Sequence, residues 1–278
     1  MKKSITFSIT PIVLLLSFYS AAEYQVDFLG TLSDYRINRC SCCPDSRIFS
    51  FEISGEGHGL PAPGMSNQEN VAYYSQSISI KGILIKAPGS VSPQALLEAK
   101  RIIAMMTEHV RPDILERLVS KQAALAIIPK DQFVTSLPEF SHLSGRIDIN
   151  GNPYDSFKIR GLGAKRQPVT ATSEENLLRL PNDPFKKEDI TVHEFAHAIM
   201  NLGFAPDDLL KINALYKNAL SKGLYPGTFA MSRVDEFWAE LTQSFFSVNN
   251  EIGGPEQIAE IDNESYRFLE QIYRFSSR

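Results

Sequence analysis

Two histidines and a glutamate share one five-residue segment, His193-Glu194-Phe195-Ala196-His197. On a helix, residues four apart lie on one face a turn apart, so both imidazoles can converge on a single ion about 2.0 to 2.1 Å from each ring nitrogen. Glu194 lies too near His193 in sequence to be a natural third ligand. It is well placed to take a proton from water that the ion activates, which is the chemistry of peptide hydrolysis. Zinc suits such donors, although cobalt or manganese could occupy them. A catalytic zinc usually has three protein ligands, so a further donor is expected. Downstream runs Ser232-Arg233-Val234-Asp235-Glu236-Phe237-Trp238-Ala239-Glu240. Glu236 and Glu240 are four apart, so the first could bind the ion while the second hydrogen-bonds a ligating histidine. The reverse assignment, with Glu240 as ligand, stays open, as does a solvated acidic face.

These residues need elements to hold them. Residues 190–201 predict a helix, with Ile190, Ala196, Ile199 and Met200 available for packing and Gly203 suited to a left-handed cap. Ser232 with Asp235 matches a capping box that would open a second helix, whose Val234, Phe237, Trp238, Leu241 and Phe245 form an apolar stripe. Upstream, Ile78, Ile80, Ile83 and Ile85 around Gly82 predict strands. Residues 93–109 and 113–121 have helical spacing, and 123–128 is a β-prone run. The turn-rich stretch 129–189 is expected to carry scattered short strands.

The segments 193–197 and 235–240 together resemble the gluzincin metallopeptidases, and in particular the lethal-factor-like catalytic domains. The resemblance is specific over residues 190–246. It extends more loosely to Arg160-Gly161-Leu162-Gly163 and Glu174-Glu175-Asn176-Leu177-Leu178, where turn and edge-strand structure is the plainer reading of the glycines. It implies an α+β zincin-like fold, with a small twisted sheet, an active-site helix packed on it and a mostly helical C-terminal half. It also implies one zinc per chain on His193, His197 and Glu236, with Glu194 as general base and Glu240 in an outer-shell role. One position departs from the family. Phe229 stands where the family has a tyrosine that helps stabilise the transition state, and a phenyl ring cannot donate a hydrogen bond. Tyr225, Arg160 and Arg233 are the candidates to replace it.

The 278 residues, 43% hydrophobic and 22% charged, suit an ordinary globular protein. A formal charge of −4 without a long basic run argues against nucleic acid or an anionic membrane as partner. Residues 1–22 are laid out as a secretory signal: Lys2 and Lys3, an apolar stretch, then Ser20-Ala21-Ala22. No later stretch is long and apolar enough to span a bilayer. Cys40, Cys42 and Cys43 lie in an extension expected over residues 23–68, ahead of a catalytic domain over 69–278. Their odd number suggests one local disulfide and a spare thiol, with a latency thiolate on the metal as an alternative. Asn263-Glu264-Ser265 is a sequon. The expectation is a secreted zinc endopeptidase acting on protein or peptide. The alternative is a weak or inactive relative that keeps the zinc and binds a protein partner in its cleft.

Overall fold

The computed structural model describes residues 38–39, 49–50, 73–165, 167–186, 188–248 and 251–275. The expected signal sequence and the three cysteines lie outside the described residues. The chain divides into two compact units, 1–61 and 62–278. Within the first, β1 (Asn38–Arg39) pairs antiparallel with β2 (Phe49–Ser50).

In the second unit, β3 (Gln76–Ile80) and β4 (Ile83–Ala87) form an antiparallel hairpin. Its two-residue turn has positive φ at both Lys81 (48°) and Gly82 (83°), a conformation that matches strand twist and favours glycine at the second position. The helix α1 (Pro93–Thr107) follows, opened by the Ser92 hydroxyl accepting from the Gln94 amide and by proline at its first position. Then come α2 (Pro112–Ser120), β5 (Ala124–Ile128), β6 (Val169–Ser173) and the single turn α3 (Glu174–Leu177). The sheet order is β3-β4-β5-β6, antiparallel at the first pair and parallel at the other two.

One apolar cluster joins Ile83, Ile85, Leu125 and Ile127 of the sheet to Ile102, Ile103 and Met106 of α1. A second gathers Ala124, Ala126, Ile128, Val169 and Ala171 with Val134, Leu137, Phe140 and Ile159. Alternate residues of β5 thus feed different clusters, as the two-residue period of a strand requires. The stretch 129–189 differs from expectation, because it contains the full strand β6 and two 3-10 turns rather than scattered short strands. The β6 pattern is masked by hydroxyls: Thr170, Thr172 and Ser173 are buried, and Thr172 bonds Thr191 at 2.8 Å.

The C-terminal half is helical: α4 (Ile190–Ala198), α5 (Pro206–Lys222), α6 (Val234–Phe245), α7 (Pro255–Ile261) and α8 (Asn263–Tyr273). With the mixed sheet, this is the expected α+β architecture. Two local expectations fail. α4 runs on into a π-helical turn, Ile199–Gly203, and Gly203 is not left-handed. Glycine is needed there because a Cβ would lie 2.6 Å from Ile114 Cγ2, so α2 crosses in close contact. At α6, Arg233 rather than Ser232 is the N-cap, and no side chain caps the helix, because Asp235 is held by Arg233. No described helix is long and apolar enough to cross a membrane.

Candidate metal centre

The site is built on two crossing helices. The start of α4 is pinned from three sides. The Asp189 carboxylate accepts the Thr191 and Val192 amides at 3.0 and 3.2 Å, Asn176 Oδ1 accepts the Ile190 amide at 2.9 Å, and Gln243 Nε2 donates to Asp189 O at 3.0 Å. α6 is buried along nearly its whole length, Asp235 to Phe245. Trp238, wholly buried, donates from Nε1 to Ala196 O at 2.8 Å, fixing the rotation of α6 against α4. Its ring stacks on Tyr273 at 5.6 Å and meets Phe204 edge-on at 4.9 Å. The glutamates of α6 therefore do not form a solvated face. Glu236 and Glu240 are only 6% and 3% exposed, and both point at α4.

His193, His197 and Glu236 converge. Glu236 Oε2 lies 3.0 Å from His193 Nε2 and 3.5 Å from His197 Nε2, and the two Nε2 atoms are 3.2 Å apart. A tetrahedral ion with ligands at about 2.0 to 2.2 Å would place donor atoms about 3.3 to 3.6 Å from one another, so the spacing approaches that of three corners around one cation. The tautomer agrees. His193 Nδ1 faces Glu240 Oε1 at 3.1 Å and Gln243 Oε1 at 3.4 Å, two acceptors that favour a proton on Nδ1 and leave Nε2 as the ring atom that faces Glu236 and His197. Among the described residues this is the group of histidine, cysteine and carboxylate side chains that could hold a metal.

The charges around it call for a cation. Burial works against a charged imidazole at His193, but Glu236, Glu240 and Glu194 outweigh it and push its pKa well up. Burial likewise disfavours a charged carboxylate at Glu236, yet the two imidazoles hold its pKa far below the usual range. A donor set of two imidazoles and one carboxylate, with an outer carboxylate on the first imidazole, fits zinc.

Glu194 is half-buried beside the histidines. Burial raises its carboxyl pKa, against the opposing pull of His193, His197 and the Gly163 backbone amide. Gly161 and Gly163 belong to a segment that extends the sheet: Leu162 and Ala171 of β6 exchange both backbone hydrogen bonds, at 3.1 and 2.8 Å. The segment presses on α4. A Cβ at Gly161 would meet Glu194 Oε1 at 2.5 Å, and one at Gly163 would meet His197 Cβ at 2.4 Å. Sequence reasoning gave these glycines no part in the site. Their two-residue spacing, which on a strand puts both on one face, is the signal of close backbone approach there.

No protein-family model matches the sequence, and no curated protein sequence matches it. Among solved structures, the PRO-PRO endopeptidase PPEP-2 from Paenibacillus alvei superposes with a TM-score of 0.47 at 15% sequence identity, covering 67% of this chain and 96% of that one.

The three candidates to replace the missing tyrosine are either buried or already bonded to acids. Arg160, 1% exposed, is bound along its Nε–Nη2 edge to both Glu175 oxygens and donates to Pro129 O from Nη2 and to Gln132 O from Nη1. Tyr225 is buried against Phe237, and its hydroxyl has no hydrogen-bond partner among the described residues. Arg233 is bonded to Asp235 and to Glu236 itself. Phe229 is 45% exposed, with its backbone amide on Glu251.

Proposed function

We propose that this chain is a zinc-dependent peptidase, exported from the cell, with His193, His197 and Glu236 holding the metal and Glu194 acting as general base. The observation that carries the reading is the convergence of three ligand-type atoms within 3.5 Å of one another beside a half-buried carboxylate. When bound, zinc supplies a Lewis acid that polarises the scissile carbonyl and makes water acidic enough to attack near neutral pH.

The residues of the chain do the rest. Glu240 and Gln243 orient the His193 ring through Nδ1. The backbone at Gly161 packs directly on the Glu194 carboxylate, where an added Cβ would lie 2.5 Å from Oε1. Glu194 takes a proton from the attacking water as the water's oxygen bonds to the carbonyl carbon. It then returns that proton to the amine nitrogen as the C–N bond breaks, so no covalent intermediate with the protein is needed. The substrate of this reading is a protein or peptide cut within the chain.

A second reading has an observation of its own. With Phe229 lacking a hydroxyl, Tyr225 buried, Arg160 locked to Glu175 and Arg233 committed to Asp235 and Glu236, each side-chain donor first considered for the developing oxyanion is missing, buried or already bonded to an acid. That favours a weakly active or inactive relative that retains zinc and holds a protein partner in its cleft. Glu194→Gln separates the two. The peptidase reading expects an unchanged zinc content and loss of cleavage of casein or a mixed-peptide pool. The partner-binding reading expects no chelator-sensitive cleavage by the unmodified chain.

A further inference from the structure

Arg233 stands at the start of α6 with extended backbone (φ −158°, ψ 162°), so its side chain folds back along the helix's first turn. There it contacts two acids at once. Nε and Nη2 bind Asp235 Oδ1 and Oδ2 at 2.9 and 3.1 Å, and Nη2 also reaches Glu236 Oε1 at 2.6 Å. Asp235 is 4% exposed and is further approached by Lys165 Nζ at 3.6 Å. The guanidinium is thus anchored by one acid while it engages the other.

The two oxygens of Glu236 are consequently unequal. Oε1 is occupied by Arg233, and Oε2 faces the two imidazoles. We propose that Arg233 is a positioning residue for the metal site, which locks Glu236 into presenting a single oxygen and so sets how tightly the ion is held. The proposal rests on the reading of Glu236 as the third ligand. A glutamate side chain free to rotate could offer both oxygens or swing away, and ordering it at the moment of binding costs conformational entropy. A planar fork fixed by a neighbouring carboxylate removes that freedom in advance, which a lysine ammonium on a flexible stem cannot do for two acids together. Outer-shell partners of this kind typically change metal affinity by about 10- to 100-fold when removed.

The test is zinc affinity of the full chain, measured by competition with a chromogenic chelator, for Arg233→Ala and Arg233→Lys. Both variants are expected to bind zinc about 10- to 100-fold more weakly, with Arg233→Lys the milder. The thermal midpoints of the metal-free proteins should stay close to that of the unmodified chain. Cobalt substitution supplies a readout that a general loss of stability would not move: the visible ligand-field bands should shift and weaken in Arg233→Ala, as Glu236 is released to bind through both oxygens. Unchanged zinc affinity and an unchanged cobalt spectrum in both variants would overturn the proposal. Glu236→Ala is the control. If it abolishes tight zinc binding while the Arg233 variants do not weaken it, the positioning role fails and the ligand reading stands; if Glu236→Ala itself binds zinc normally, the ligand reading fails.

Discussion

Arg160 and Arg233 are both arginines that grip acids beside the site, and they do different work. Arg160 is entirely enclosed: Glu175 takes two of its donors, and the carbonyls of Pro129 and Gln132 take two more. It ties the segment that carries Gly161 and Gly163 to the end of β5 and the start of α3. Arg233 keeps 31% of its side chain in solvent and divides its donors between a structural acid and a proposed ligand. Burial decides the difference. An enclosed pair has no water to fall back on, so losing one member leaves a stranded charge, whereas a half-exposed guanidinium can be removed and replaced by solvent.

The largest expected effect tests the enclosed side of that contrast. Arg160→Ala leaves Glu175 buried without its cation and is expected to destabilise the fold by about 3 to 5 kcal/mol, read from the denaturant midpoint. The double variant Arg160→Met/Glu175→Leu should recover much of that loss, and failure to recover any would mean that the two carbonyl bonds matter more than the ion pair. Next comes Gly163→Ala, whose added methyl must displace the His197 Cβ. It is expected to cost about 1 to 3 kcal/mol and to weaken zinc binding as well, measured on the same samples. If zinc affinity is untouched, the segment does not set the ligand's position.

Arg233→Ala should cost less, about 1 kcal/mol in the metal-free protein, because solvent enters where the 31% exposed side chain stood and Lys165 Nζ remains 3.6 Å from Asp235. A loss as large as that of Arg160→Ala would erase the distinction. The smallest effect lies away from the site, at Asp113. Burial acts to raise its carboxyl, but hydrogen bonds from Arg111 and Arg117 prevail and hold its pKa at about 2, below the usual 3.8. Its contribution is therefore complete above about pH 4 and is lost as pH falls toward 2, a loss of about 0.5 kcal/mol for so exposed a pair. Asp113→Asn should lower stability at neutral pH by about that amount and match the unmodified chain near pH 2.

The parts legible in the sequence are those whose signal is local. His193, Glu194 and His197 announce themselves by spacing on one helix, and the hairpin of β3 and β4 by its isoleucines and Gly82. Glu236 lies 43 positions from His193, so its place came from resemblance to a family, and the 3.0 Å approach now supports it geometrically. What stayed hidden depends on distant partners. β6 reads as a loop because its hydroxyls are buried against α4 and the sheet. Asp235 looks like half of a capping box, but Arg233 claims it. Arg160 looks available to a substrate, but Glu175 does, fifteen residues on. Gly203 looks like a helix cap because the crossing of α2 is invisible in one dimension.

The most direct test joins zinc content to cleavage in one pair of proteins. The purified chain and its Glu194→Gln variant would be analysed for metal and assayed on casein and a mixed-peptide pool, with and without chelator. One zinc in each, with chelator-sensitive cleavage only in the unmodified chain, is the result the account predicts. Equal cleavage by the variant would contradict Glu194 as the base, and absence of zinc from both would contradict the metal centre itself.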